Sequence, residues 1–117
     1  RLMTVSEEPV VIADHRGIIT YANPEFESVF GWGAGEILGK PLTVIIPKHL
    51  HDAHHLGFSR FLTTSKSAIL GEPLRLRAVR KDGREFEAEH LIIAEKAEGD
   101  WLFGAVIRPL EPHPHAA

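Results

Sequence analysis

Apolar and polar positions change period several times along this 117-residue chain, and each change marks an element. VVIAD (10–14) is a compact β-rich run, HRG interrupts it, and IITYAN (18–23) resumes it, which predicts a β-hairpin turning at Gly17. Asn23 then precedes Pro24, an N-cap followed by proline at the first helical position. In PEFESVFGW, Phe26 and Phe30 stand four apart on one face of a short helix, which Gly31 and Gly33 break. AGEILGKPL adds a single turn, and TVIIPKH is apolar up to Pro47.

A longer helix is predicted from about Lys48 to Ser65. The period then becomes two, with Leu74, Leu76 and Ala78 on one face and Arg75 and Arg77 on the other. KDG (81–83) signals a hairpin turn. REFEAEHLIIAE alternates again, Phe86, Ala88, His90 and Ile92 facing inward while Glu85, Glu87 and Glu89 face out. EGD (98–100) turns into a last strand, WLFGAVIRPL. Strands at both ends of a helical middle predict an α+β domain, one antiparallel sheet with helices covering one face. Residues 1–8 read as an amphipathic lead-in, 9–110 as the domain and 111–117 as a tail or linker.

The long helix opens on HLHDAHHLGFSRF (49–61), which holds four of the chain's 8 histidines. At about 100° per residue, and with His54 as zero, Leu50 lies near −40°, Phe58 near +40° and Phe61 near −20°. His54 therefore occupies the middle of the apolar face. His51, His55 and His49 lie about 60°, 100° and 140° away, on a more solvated side. His51 and His55 have a spacing that can hold zinc, but two donors without a third or a cysteine fall short of a site. An inward imidazole must have its nitrogens satisfied, by a backbone carbonyl or by a metal. His90, on the inward face of its strand, is a second such imidazole.

Composition removes several classes. There is no cysteine, so disulfides, thiolate metal sites and a cysteine nucleophile are excluded, and a reducing compartment is the natural setting. A net charge of −3, without a basic stripe, argues against a nucleic-acid binder. The apolar runs fall far short of the roughly 20 residues that cross a bilayer. No glycine-rich phosphate loop follows a strand and no nucleophile sits beside a base, so the segment is not expected to be an enzyme. The chain opens at Arg1 without a methionine, as a piece of a longer protein would.

The stretches VVIADHRGIITYANPEFESVFGW, ILGKPLTVIIP, RKDGREFEAEHLII and LFGAVIRPL together resemble a PAS domain across nearly all of residues 9–110. The resemblance implies a five-stranded antiparallel sheet whose concave face and flanking helices enclose a ligand-sized pocket. It also implies a sensory and dimerising module, a homodimer attached to an output domain such as a histidine kinase or cyclase in a cytoplasmic two-component system. Within the family, HHLGFSRFLTTSKSAILG (54–71) is similar to the FixL-type haem PAS sensors. On that likeness haem b is the implied cofactor, His54 the axial ligand and Arg60 the propionate partner. Ile69 falls on the apolar position opposite the iron and Ile92 on the distal wall.

The departures are specific. The family's distal arginine falls on Leu74 and a distal-wall leucine on His90. With Leu76, these residues would shape a hydrophobic distal pocket, His90 standing near the sixth position as a hydrogen-bond donor or a second axial ligand. Where such domains commonly leave the sheet through an aspartate after the arginine, this chain has Pro109, which is expected to end regular structure. The alternative expectation is an interaction module with no prosthetic group, or with a small organic ligand, whose Leu2, Met3 and Val5 pack on a partner.

Overall fold

In a computed structural model, residues 7–64 and 70–110 are described. Five strands form one antiparallel sheet in the order β2-β1-β5-β4-β3. They are β1 (Val10–Ala13), β2 (Ile19–Ala22), β3 (Leu74–Val79), β4 (Glu85–Ala97) and β5 (Asp100–Pro109). Between β2 and β3 run α1 (Pro24–Phe30), two 3-10 turns (Leu42–Ile45 and Lys48–Leu50) and α2 (His51–Thr64). The predicted α+β architecture is the observed one. No helix among the described residues is long and apolar enough to cross a membrane, which says nothing of a β-barrel.

The β1–β2 turn is built around Asp14. Its Oδ1 accepts the N–H groups of Arg16 and Ile18 at 2.9 and 3.1 Å, and its carbonyl accepts the Gly17 N–H at 2.9 Å. Gly17 carries a φ of 77°, a left-handed conformation that a side chain would resist. Burial opposes the charge on Asp14, but hydrogen bonds from Ile18 and from the side chain and backbone of Arg16 outweigh it and hold the pKa below 3.8.

Asn23 is a buried cap that ties two segments together. Its Oδ1 accepts from Phe26 N, closing the first turn of α1, and from Val10 N, both at 2.9 Å. Its Nδ2 donates to Glu8 O at 2.8 Å. One side chain thus starts α1 and fixes the entry to β1. Phe26 and Phe30 stack at 4.1 Å, and Phe30 meets Phe86 of β4 edge-on at 5.2 Å. These fully buried rings, with Val11, Ile19, Ile37 and Ile107, make the main core at the α1 end of the sheet. Each contributes about 1.5–3 kcal/mol of burial.

Register places Leu74 opposite His90 and Ile92 opposite Ala105, so the alternating residues Leu74, Leu76, His90, Ile92, Ala105 and Ile107 share the inner face. The outer face is ionic toward β3, where Arg77 pairs with Glu85 at 3.0 Å and Arg108 with Glu89. Toward β1 it is apolar, Val10 and Ile12 packing with Tyr21, Ile93, Leu102 and Val106.

One expectation is met and another needs correction. Pro109 ends the final strand: it is the last residue of β5, opposite Ala88, although Leu110 N still donates to Glu87 O at 2.8 Å. Ile107 and Pro109 turn their nitrogens to the β1 side, where Ile107 reaches Pro9 O at 2.9 Å and β1 itself begins only at Val10. The proline therefore lacks a donor where no strand asks for one. The long helix begins as a 3-10 turn over Lys48–Leu50 and becomes α-helical at His51. Ser65, where it was expected to end, lies outside the described residues, as do Leu2, Met3 and Val5.

Candidate functional site

Helix α2 does not close down onto the sheet. Of its fourteen residues only Phe61 is buried, although an apolar stripe runs its whole length. The space left between helix and sheet is a cavity of about 380 Å³. That volume lies in the lower part of the range of small-molecule sites. From α2, Leu50, His54, Phe58 and Phe61 line it; the 3-10 turns add Leu42, Ile45 and Ile46. The sheet closes the other side with Leu74, Leu76, His90, Ile92, Phe103 and Ile107. Leu76 is 37% exposed, so the cavity reaches solvent beside β3.

Aromatic contacts hold α2 at this distance. Phe58 packs on Phe103 at 4.9 Å, and Phe61 meets Trp101 and Phe103 edge-on at 4.9 and 5.3 Å. His54 lies one turn before Phe58, its ring nearly parallel at 5.8 Å and 27°. The expected inward orientation of His54 is the observed one: its half-buried ring lines the cavity. Burial pushes its pKa below 6.5, and the neighbouring imidazoles of His55 and His51 push the same way. At neutral pH it presents an unprotonated nitrogen, the form a metal requires.

His90 faces it from the sheet side of the same cavity. Its Nδ1 is buried and has no hydrogen-bond partner. Burial again lowers the pKa, while the backbone carbonyls of Ala88 and Leu74 pull it part of the way back. The wall around the two rings is otherwise aliphatic and aromatic, apart from Arg77, whose guanidinium is engaged by Glu85 and Glu87.

A family model for the PAS domain matches residues 7–108. This chain belongs to the PAS domain family. Over 110 residues it is 34% identical to an uncharacterized protein of Azorhizobium caulinodans, covering 93% of this chain and 15% of that protein. It is 32% identical over 113 residues to the sensor protein FixL of Bradyrhizobium diazoefficiens, covering 96% of this chain and 22% of FixL. The PAS domain of a Colwellia psychrerythraea protein has the same fold, with a TM-score of 0.71, 17% identity, and 88% of this chain and 86% of that one covered. The chain thus spans under a quarter of the curated relatives it matches.

Within this PAS domain, His54, Leu74, Leu76, His90 and Ile92 come together on one cavity. Arg60 does not join them: it is exposed on α2, about 240° around the helix from His54, and is absent from the lining. Ile69 lies outside the described residues. His51 departs from the solvated role expected of it. Its Nε2 meets the carbonyl oxygens of Ile46 and Thr43 at 2.7 and 3.1 Å, tying α2 to the preceding 3-10 turn. That leaves His51 poorly placed for zinc, and among the described residues no three His, Cys, Asp or Glu side chains gather for a metal. Sequence reading missed the wall supplied by Leu42, Ile45, Ile46 and Phe103. The alternation of β5 would have found Phe103; the 3-10 residues carry no periodic signal.

Proposed function

We propose that this chain is the sensory module of a cytoplasmic multidomain signalling protein and that its cavity holds haem b through His54. The observation that carries the reading is the helix standing off the sheet with a neutral imidazole in the middle of an apolar stripe of which only Phe61 is buried. An amphipathic helix normally packs its stripe down. Here the stripe faces a void whose wall is almost wholly apolar, with imidazole nitrogen as its metal-seeking donor.

An imidazole donor set in an otherwise apolar wall is the chemistry that would suit a haem. His54 would hold the iron; Leu42, Ile45, Ile46 and Phe58 would pack on the macrocycle; Leu74, Leu76 and Ile92 would form the opposite wall. Arg60 would serve a propionate only at the rim, from its exposed place on α2. Haem, once bound, supplies an iron that takes diatomic gases and changes oxidation state. The protein's share is to exclude water, to orient His54 through Phe58, and to couple α2 to β5 through Phe58, Phe61, Phe103 and Trp101. A ligand-dependent shift of α2 would reach the sheet by those rings and bias an attached output domain. Similarity to a sensor protein of which the chain spans 22% supports a module of that kind.

A second reading, a dimerisation module without a prosthetic group, is favoured by the apolar cluster on the outer face of the sheet, where Tyr21, Ile93, Leu102 and Val106 are only partly buried. The two readings separate by titration. Haem b added to the metal-free protein should bind one per chain with a sharp absorption change. Saturation with no more change than a non-binding protein gives would remove the haem reading and leave the interaction module.

A further inference from the structure

Within the haem reading just given, His90 occupies the position where a leucine would complete an apolar distal wall, and it is not accommodated as a structural histidine. A core imidazole is ordinarily retained because both nitrogens find partners. Here Nδ1 is buried with none. The backbone of Ala88 and Leu74 hydrogen-bonds weakly to the ring, yet Nδ1 itself is left without a well-formed partner. Burying a polar group in this state is costly, and a leucine, isosteric enough to fill the site, would avoid the cost. The imidazole is therefore short of a partner among the protein's own groups.

Its place in the fold says what the partner is. His90 lies on β4, opposite Leu74 in the ladder, with Ile92 two residues on and on the same face. His54 lies on α2, across the cavity. A planar group entering between helix and sheet has one imidazole on each side of its plane. A ligating histidine characteristically gives one nitrogen to the metal and turns the other N–H toward a carbonyl or carboxylate. With the backbone of Ala88 and Leu74 interacting with its ring, His90 has carbonyl partners for the nitrogen that would not face the metal.

We propose that His90 is the second axial ligand of the haem iron, so that the resting module is six-coordinate with imidazoles from α2 and β4. This rests on the haem reading and sharpens it. A gas would have to displace an imidazole to bind, and the displaced ring belongs to the sheet rather than to a loop. Such a module responds to the oxidation state of the iron, and to ligands strong enough to compete with imidazole, in preference to weak ligands that need an open site. Release of His90 would act directly on β4, next to β5.

The test is the absorption spectrum of the full chain loaded with haem b and reduced to the ferrous state, for the wild type and for His54→Ala, His90→Leu and His90→Met. The wild type is expected to be six-coordinate and low-spin. His90→Leu should become five-coordinate and high-spin and bind carbon monoxide faster. His90→Met, which keeps a ligating side chain, should restore a low-spin spectrum. A ferrous wild type that is already high-spin, indistinguishable from His90→Leu but altered by His54→Ala, would overturn the role of His90 and leave haem on His54. Failure of the wild type to bind haem at one per chain would overturn both.

Discussion

Replacing His90 by leucine in the haem-free protein should stabilise it. The Nδ1 atom is buried without a partner, and a leucine at that place adds apolar contact to Leu74, Ile92 and Ile107 around it. Relief of one unpaired buried polar atom is worth about 1–3 kcal/mol, and the two flanking carbonyls put this case in the lower half of that range. Unfolding entropy is about 2.1 cal/mol/K per residue. For 117 residues, 1 kcal/mol then corresponds to roughly 4 °C, and the variant should melt roughly 4–8 °C higher. The gain should depend on pH. The folded pKa of His90 lies below 6.5, so as pH falls below 6.5 the unfolded chain takes up a proton that the native chain resists, and wild-type stability drops until the lower, native pKa is passed. Leucine removes that loss. Calorimetric or circular-dichroism melts from pH 7.5 to 5 should show the gap between variant and wild type widening on acidification. A variant that melts lower than the wild type, or a gap that does not change with pH, would mean that the imidazole already has a partner among the protein's own groups.

Three other substitutions test what positions the cavity. Asn23→Ala removes the acceptor of the Val10 and Phe26 N–H groups and the donor to Glu8 O, and should cost about 2–4 kcal/mol in a urea titration; a loss below 1 kcal/mol would show that water or another side chain replaces it. Phe61→Ala should cost about 3–5 kcal/mol and change the emission of Trp101, which its ring meets at 4.9 Å; unchanged emission would contradict the packing of α2 on β5. Gly17→Ala, at a φ of 77° in the turn beneath Phe58, should cost about 1 kcal/mol through backbone strain alone, since the added methyl would sit 3.8 Å from the ring; equal stability would place Gly17 in an ordinary conformation.

Much of this site was readable from residue order because its parts obey simple periods. The alternation from Leu74 to Ala78 and from Phe86 to Ile92 put both walls of β3 and β4 on the correct face, and the helical phase of Leu50, Phe58 and Phe61 turned His54 inward. Asn23 before Pro24 announced a cap. What stayed hidden depends on contacts between distant segments. His51 is 60° from the apolar centre and looks solvated until the 3-10 turn before it brings the carbonyls of Thr43 and Ile46 against its ring. That Pro109 ends β5 without leaving a neighbouring strand short of a donor depends on β1 starting only at Val10. The stand-off of α2 from the sheet has no signature at all in hydropathy: the same stripe would serve a helix packed flat.

The most direct measurement is the absorption spectrum of haem-loaded protein in which His54 is replaced by glycine, taken with and without free imidazole. Loss of the wild-type axial-ligand signature in His54→Gly and its return on adding imidazole is the expected result, because the cavity would survive and only the donor from α2 would be missing. A His54→Gly spectrum identical to that of the wild type, with imidazole making no difference, would contradict the assignment of His54 as the residue that holds the iron.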